Sequence, residues 1–164
     1  TIGMAWTPVG GCVLKIEVES VPGNGVLFMT GTLGETMRES IEIANSLIKK
    51  EFVLKEDIHI HLPAGAIPKD GPSAGVAIFI AMKSLLLNKK PKQMSMTGEL
   101  SLKGKVLAVG GGKEKLIAAF NNGIRSAISP FDNRRDIEKL PDTVKNNLKI
   151  HLVKTIKEVE KIIL

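Results

Sequence analysis

From Cys12 to Ser20 the chain alternates apolar and polar side chains, CVLKIEVES, and beyond the turn-forming VPGNG a second apolar run, GVLFMTG, follows. A period of two sends successive side chains to opposite faces of a strand, so the two runs predict a β-hairpin. The period then changes. In GETMRESIEIANSLIKKE, the residues Met37, Ile41, Ala44, Leu47 and Ile48 recur at the spacing of one helix face. DIHIHL returns to strand alternation, and Gly75 to Leu87 is apolar nearly all round, the mark of a helix buried on most sides. MSMTGELSL and KVLAV flank Lys103-Gly104 as a second hairpin, and GGGKEKLIAAFNNG reads as a glycine loop and a short helix stopped at Gly123. IRSAIS is a strand ended by Pro130, and FDNRRDIEKLP and PDTVKNNL are short helical turns. KIHLV is a strand, and TIKEVEKIIL a terminal helix with Ile156, Val159, Ile162 and Ile163 inward. Hairpins mixed with helices, rather than a strict alternation of strand and helix, predict an α+β fold.

The length of 164 residues suits one domain, residues 1–164, with a core that needs no staples. Hydrophobic residues at 43% and charged residues at 24% place the chain among ordered globular domains. The single cysteine, Cys12, has no partner for a disulfide and no paired-cysteine metal spacing, which favours a reducing compartment. No run of about 18 apolar residues predicts a membrane span, and TIGMAWTPVGG lacks the charged and apolar regions of a signal peptide. Starting at Thr1, the chain is expected to be cut from a longer one. The net charge of +6 permits nucleic-acid binding, but the lysines are dispersed and no tyrosine is present, so a solvated basic surface is the simpler reading.

The chemistry gathers around Pro68 to Gly75, PKDGPSAG. Gly71-Pro72-Ser73-Ala74-Gly75 matches the G-x-S-x-G turn of α/β-hydrolases, whose triad would require His151 with Asp132, Asp136 or Asp142. The context fits poorly, because ten residues with three prolines separate DIHIHL from the serine, where that fold has a tight turn. Ser73 also suits a helix N-cap, its oxygen accepting from an orphan N–H. The two roles are compatible, since free N–H groups at a helix start also form an oxyanion hole. A serine nucleophile can use a neutral lysine as its base. Gly110 to Lys113 is not a phosphate loop, because Leu107 and Glu114 stand where that loop needs glycine and Ser or Thr. Lys115 shares a helix face with the small Ala118 and Ala119, which leaves room to bury its amine. Moving a lysine pKa from about 10.4 to about 8 costs roughly 3 kcal/mol, within the reach of desolvation. Thr97, in MTGEL, is the candidate hydroxyl to aim that amine. His59 and His61 share one side of a strand and could be drawn with His151 as a zinc site, but no further ligand follows at a recognised spacing. Trp6 and Cys12 read as core or edge residues.

PKDGPSAG, MTGELSLKGKVLAVGGGKEKLIAA and PFDNRRDIEKLP, in that order, resemble the proteolytic domain of the Lon proteases, ATP-dependent Ser-Lys endopeptidases. The resemblance runs from GMAWTPVGG to the final helix. It implies Ser73 as nucleophile and Lys115, the second lysine of KEK, as general base, with Asp70 and Thr97 supporting them. It further implies an α+β domain like the second domain of a small-subunit ribosomal protein, with oxyanion donors and loop contacts around Pro72, Ser73 and Ala74. The domain itself would need no cofactor, while ATP and Mg would serve the full-length protein. Unfolded or damaged proteins would be its substrates, in a homo-hexameric ring in the cytoplasm or, second, the mitochondrial matrix, with DNA a further partner. Where the family carries PIGG and a large apolar residue before KEK, this chain reads AVGGG, with Gly112 in that place.

Overall fold

The computed structural model describes residues 1–164. Its elements run β1 (Ile2–Thr7), β2 (Gly10–Lys15), β3 (Glu17–Val21), β4 (Leu27–Thr30), α1 (Glu35–Lys49), β5 (Asp57–His61), α2 (Gly75–Leu86), β6 (Ser95–Met96), β7 (Glu99–Leu100), β8 (Val106–Leu107), α3 (Gly112–Asn121), β9 (Ser126–Pro130), α4 (Arg134–Glu138), α5 (Asp142–Asn147), β10 (Lys149–Val153) and α6 (Ile156–Ile163). The strands form a five-stranded sheet in the order β10-β9-β6-β1-β2, a three-stranded sheet in the order β3-β5-β4, and the β7-β8 pair. This is the α+β fold that the patterns predict.

The first hairpin is not formed as expected. Cys12 to Ser20 is two strands, broken at Ile16, which is buried and gives its N–H to the Thr1 carbonyl at 3.0 Å. β2 pairs with β1 in the large sheet, while β3 crosses to the small one. Nor does β3 pair with β4: β5 lies between them, antiparallel to β3 and parallel to β4. Asp57 holds the connection open: its Oδ1 accepts from the N–H groups of Asn24 and Val26, both at 2.7 Å. That carboxylate opens VPGNG into a wide loop, and β3 and β4 then stand two strand spacings apart, about 4.8 Å each. Alternation marks a strand without naming its neighbour.

The β7-β8 hairpin forms as predicted, with Gly104 at φ +75° in its turn. MSM leaves it to become β6 of the large sheet, the break falling at Gly98. A Cβ at Gly98 would sit 2.7 Å from Val106 Cγ1 and 2.8 Å from Val76 Cγ2, and its φ of +157° suits glycine.

The five-stranded sheet is the central layer. Met96 and Ile128 face the larger core, which holds α1, α2 and α6, while Met4 and Ala127 face a smaller one under α3. All five apolar residues predicted on α1 are buried, and α2 is buried from Gly75 through Ser84. Each fully buried Ile or Phe contributes about 1.5–3 kcal/mol, so α2 is the central post of the larger core. α6 begins with a capping box between Thr155 and Glu158 and buries Ile156, Val159 and Ile163, with Ile162 half-buried.

Candidate active site

The segment PKDGPSAG reaches α2 through a 3-10 turn, Pro72–Ala74, after Gly71 at φ +109°. The N-cap of α2 therefore falls on Ala74, and no side chain caps the helix. Ser73 is not the cap expected of it. It sits inside the turn, half-buried, with its hydroxyl free of any capping bond. The turn is held by its carbonyls: Ser73 O accepts from Gly98 N at 2.9 Å and from Thr97 Oγ1 at 3.3 Å, and Pro72 O from Ser40 Oγ at 3.2 Å. Pro72 has no N–H to give.

Asp70 lies where the chain turns toward Ser73. Its Oδ1 accepts from Gly71 N at 2.8 Å and Met37 N at 2.9 Å. Met37 is the third residue of α1, whose N-cap, Gly34, has no side chain to offer, so Asp70 caps α1 from a distant loop. The bond couples the Ser73 turn to a helix.

Lys115 is only 3% exposed in the first turn and a half of α3. Burial pulls its amine from the ordinary 10.5 down to about 8, with Cys12 nearby opposing the shift. Its Nζ donates to Thr97 Oγ1 at 3.4 Å, and Thr97, fully buried, donates onward to the Ser73 carbonyl. Thr97 thus joins Lys115 to the Ser73 turn, and no direct bond links the amine to the Ser73 hydroxyl.

Two devices place α3. Gly111, at φ +65°, is its N-cap, pressed against Trp6 so closely that a Cβ would lie 2.6 Å from Trp6 Cγ. Gly11 of β2 abuts the helix: a Cβ there would overlap the Glu114 carbonyl and sit 3.0 Å from Ala118 Cβ. Since the Glu114 obstacle is backbone, Gly11→Ala should force β2 and α3 apart, at a cost of about 1–3 kcal/mol. A fall in Tm is expected; an unchanged Tm would show that the close approach is not needed. At Gly112 the missing side chain leaves space for the Asp136 carboxylate, which accepts from Asn133 Nδ2 at 2.8 Å. Asn133 also exchanges hydrogen bonds with Val109 in both directions, at 2.9 and 2.8 Å, fixing the strand of chain that leads to the glycines.

His151 is elsewhere. It lies on β10, the edge of the sheet opposite β2, with its Nε2 3.3 Å from Ser126 Oγ, and burial followed by Lys149 and Lys92 lowers its pKa. Asp132 lies beside Arg134 at 3.8 Å and Asp136 beside Asn133, so no Ser-His-Asp triad is assembled. His59 and His61 both reach the Thr30 hydroxyl, at 2.9 and 2.7 Å, on the small sheet and apart from His151.

Sequence reasoning missed a groove of about 400 Å³ beside the turn. One wall is the β1-β2 hairpin, including Trp6, Cys12 and Leu14, and the other is the loop from Pro63 to Asp70. The only signal in the sequence was Trp6, the one tryptophan of the chain, which the structure leaves 55% exposed and lining the groove. It also missed Lys69, whose amine is buried, and the buried hydroxyls of Ser95 and Ser129, which have no hydrogen-bond partner.

Residues 1–164 match the family model of the Lon protease (S16) C-terminal proteolytic domain. The Lon protease of Escherichia coli strain K12 is 49% identical over 167 residues, 96% of this chain and 21% of that protein. The Lon protease of Haemophilus influenzae is 50% identical over 167 residues, again 96% and 21%. Lon protease 1 of Bdellovibrio bacteriovorus is 48% identical over 172 residues, 99% and 22%. The chain spans about a fifth of the length of these curated relatives.

Proposed function

The chain belongs to the family of Lon protease C-terminal proteolytic domains, and from that premise we propose that residues 1–164 form a serine endopeptidase domain in which Ser73 is the nucleophile and Lys115 its general base. The observation that carries the assignment is a buried amine, with its pKa near 8, tied through Thr97 to the turn that presents Ser73.

The magnitude decides between a structural and a catalytic lysine. An amine titrating at 10.5 is neutral in about one molecule in three thousand at pH 7, and one titrating at about 8 in about one in ten. Neutral, Lys115 takes the proton of the Ser73 hydroxyl as Oγ attacks a peptide carbonyl carbon. Protonated, it returns that proton to the leaving amine when the C–N bond breaks. Water then attacks the acyl-Ser73 ester with Lys115 again as base. Backbone N–H groups of Ser73 and Ala74 receive the oxyanion, while Pro72 and Asp70 hold the loop. In the resting arrangement the amine is parked on Thr97; turnover requires it to reach Oγ. β2 is a free sheet edge beside the groove, which suits an extended peptide with an apolar side chain turned inward.

Activity should rise with pH. The base works only when deprotonated, so kcat/KM for a fluorogenic peptide is expected to fall about tenfold per pH unit below the Lys115 pKa and to level off above about 8. An acid limb near the ordinary histidine range would favour the Ser-Asp-His esterase instead, and a flat profile would remove the lysine base. A fluorophosphonate should label the tryptic peptide that contains Ser73; label on another residue counts against the nucleophile.

Family resemblance extends the proposal. Unfolded or damaged proteins are the substrates, assembly is a homo-hexameric ring, DNA is a partner of the full-length protein, and the cytoplasm is the site of action. No helix is long and apolar enough to cross a membrane. ATP and Mg do not fit these residues, because Gly110 to Lys113 lacks the spacing and the Ser or Thr of a phosphate loop.

A further inference from the structure

The loop between β5 and the Pro72–Ala74 turn forms one wall of the groove through Ala64, Ile67 and Pro68, all exposed and none in a strand or helix. Such a wall has little burial of its own to hold its shape. Lys69 supplies the hold. Its side chain runs inward, only 7% of the residue is exposed, and its amine donates to the carbonyls of Gly31 at 2.8 Å, Ala64 at 2.8 Å and Ile67 at 3.0 Å. All three N–H bonds are used. Its backbone N–H goes to Thr32 O at 3.0 Å, and its carbonyl accepts from Gly34 N at 2.9 Å. One residue therefore ties the wall, at Ala64 and Ile67, to the end of β4.

We propose that Lys69 is a positioning residue for the substrate: its amine sets the shape of the groove wall that receives the peptide and so governs peptide affinity, without acting on the reacting atoms. The inference rests on the reading that the groove is where a peptide docks. The nucleophile turn has separate supports, in Asp70 bonded to Met37 and Gly71, and in Thr97 and Gly98 bonded to the Ser73 carbonyl. Loss of the Lys69 amine leaves those intact and takes a donor from three carbonyls, two of them in the wall. The effect belongs in binding rather than in turnover.

Trp6 is the one tryptophan of the chain and lines the groove, so its fluorescence reads occupancy without catalysis. In the full chain carrying Ser73→Ala, an acetylated hexapeptide amide of alternating leucine and serine should bind with a Kd about tenfold weaker when Lys69→Met is added. With Ser73 present, Lys69→Met should raise KM for a fluorogenic peptide by a similar factor and lower kcat far less. Rescue separates the amine from a general loss of stability. Lys69→Cys in a Cys12→Ser background, alkylated with 2-bromoethylamine while unfolded and then refolded, restores an amine of nearly the same reach, and Kd should return to within about threefold of that of the Cys12→Ser chain with Lys69 intact, unfolded and refolded in the same way. No Trp6 response in the Ser73→Ala chain without a substitution at Lys69, an unchanged Kd in Lys69→Met, or a weakened Kd that the restored amine does not recover would each overturn the proposal. If Kd follows Lys69 while no chain with Ser73 cleaves peptide, the dyad fails and the role of Lys69 stands.

Discussion

Lys115→Met is expected to lower kcat/KM for a fluorogenic peptide by on the order of a thousandfold or more, within the range for removal of a general base whose nucleophile is otherwise weak. Ser73→Ala should fall at least as far. Lys115→Arg should not recover activity, because a guanidinium stays charged at every working pH and cannot accept the serine proton. His151→Ala should retain activity within about twofold, since its ring meets Ser126 on the far side of the sheet. Stability gives a second readout. Lys115 is buried with one long hydrogen bond, so an apolar side chain of similar length should leave Tm unchanged or raise it. Loss of activity together with loss of folding would point to a structural lysine. Full activity in Lys115→Met would end the dyad assignment.

The largest effect on stability is expected at a different lysine. Lys83, in α2, is 7% exposed and sends its amine to Glu51, just past α1, and to Glu160 of α6 at 2.7 Å, below the rings of Phe52 and Phe79. Lys157 meets the same two carboxylates, Glu51 at 2.6 Å and Glu160 at 3.2 Å. Lys83→Met leaves two carboxylates to one exposed cation. The cost is expected to be about 3 kcal/mol, the low end for a broken buried pair because water reaches Glu51. For a chain of this size that is a fall in Tm of roughly 10 °C, measurable by calorimetry. Adding Glu160→Gln should cost less than the two single changes summed, because they share a partner. The pH dependence follows from Glu51. Burial works to raise its pKa, but the hydrogen bonds and charges of Lys157 and Lys83 outweigh it, and the folded pKa lies below the ordinary value. The stabilisation is therefore present above the ordinary carboxylate pKa and is lost as pH falls through the depressed one. A Lys83→Met chain whose acid unfolding matched the unsubstituted chain would contradict this.

The helices were legible in the sequence because each buries a face that its own periodicity declares: Met37 to Ile48 on α1, the apolar length of α2, Ile156 to Ile163 on α6. Strand partners were not. Leu14 to Glu19 alternates straight across Ile16, yet the two halves of CVLKIEVES serve different sheets, and the strand that stands between β3 and β4 comes from Asp57 to His61, more than thirty positions on. Ser73, Lys115 and Thr97 were picked out as candidates by the glycines beside them and by the family resemblance, and the structure links the three through the Thr97 hydroxyl. Lys69 could not, since a lysine looks the same in sequence whether it faces water or three carbonyls. The Ser73 cap was misplaced for a local reason: a 3-10 turn shifts the helix start by one residue, a difference no pattern of polarity records.

Asp70 also makes α1 an instrument. The Met37 amide, bound to a carboxylate from the loop before Ser73 rather than to its own helix, can trade its proton with solvent only when that loop lets go. Its exchange rate, followed by NMR in the intact chain, is a clock for how often the turn that carries Ser73 comes undone, with no substrate present.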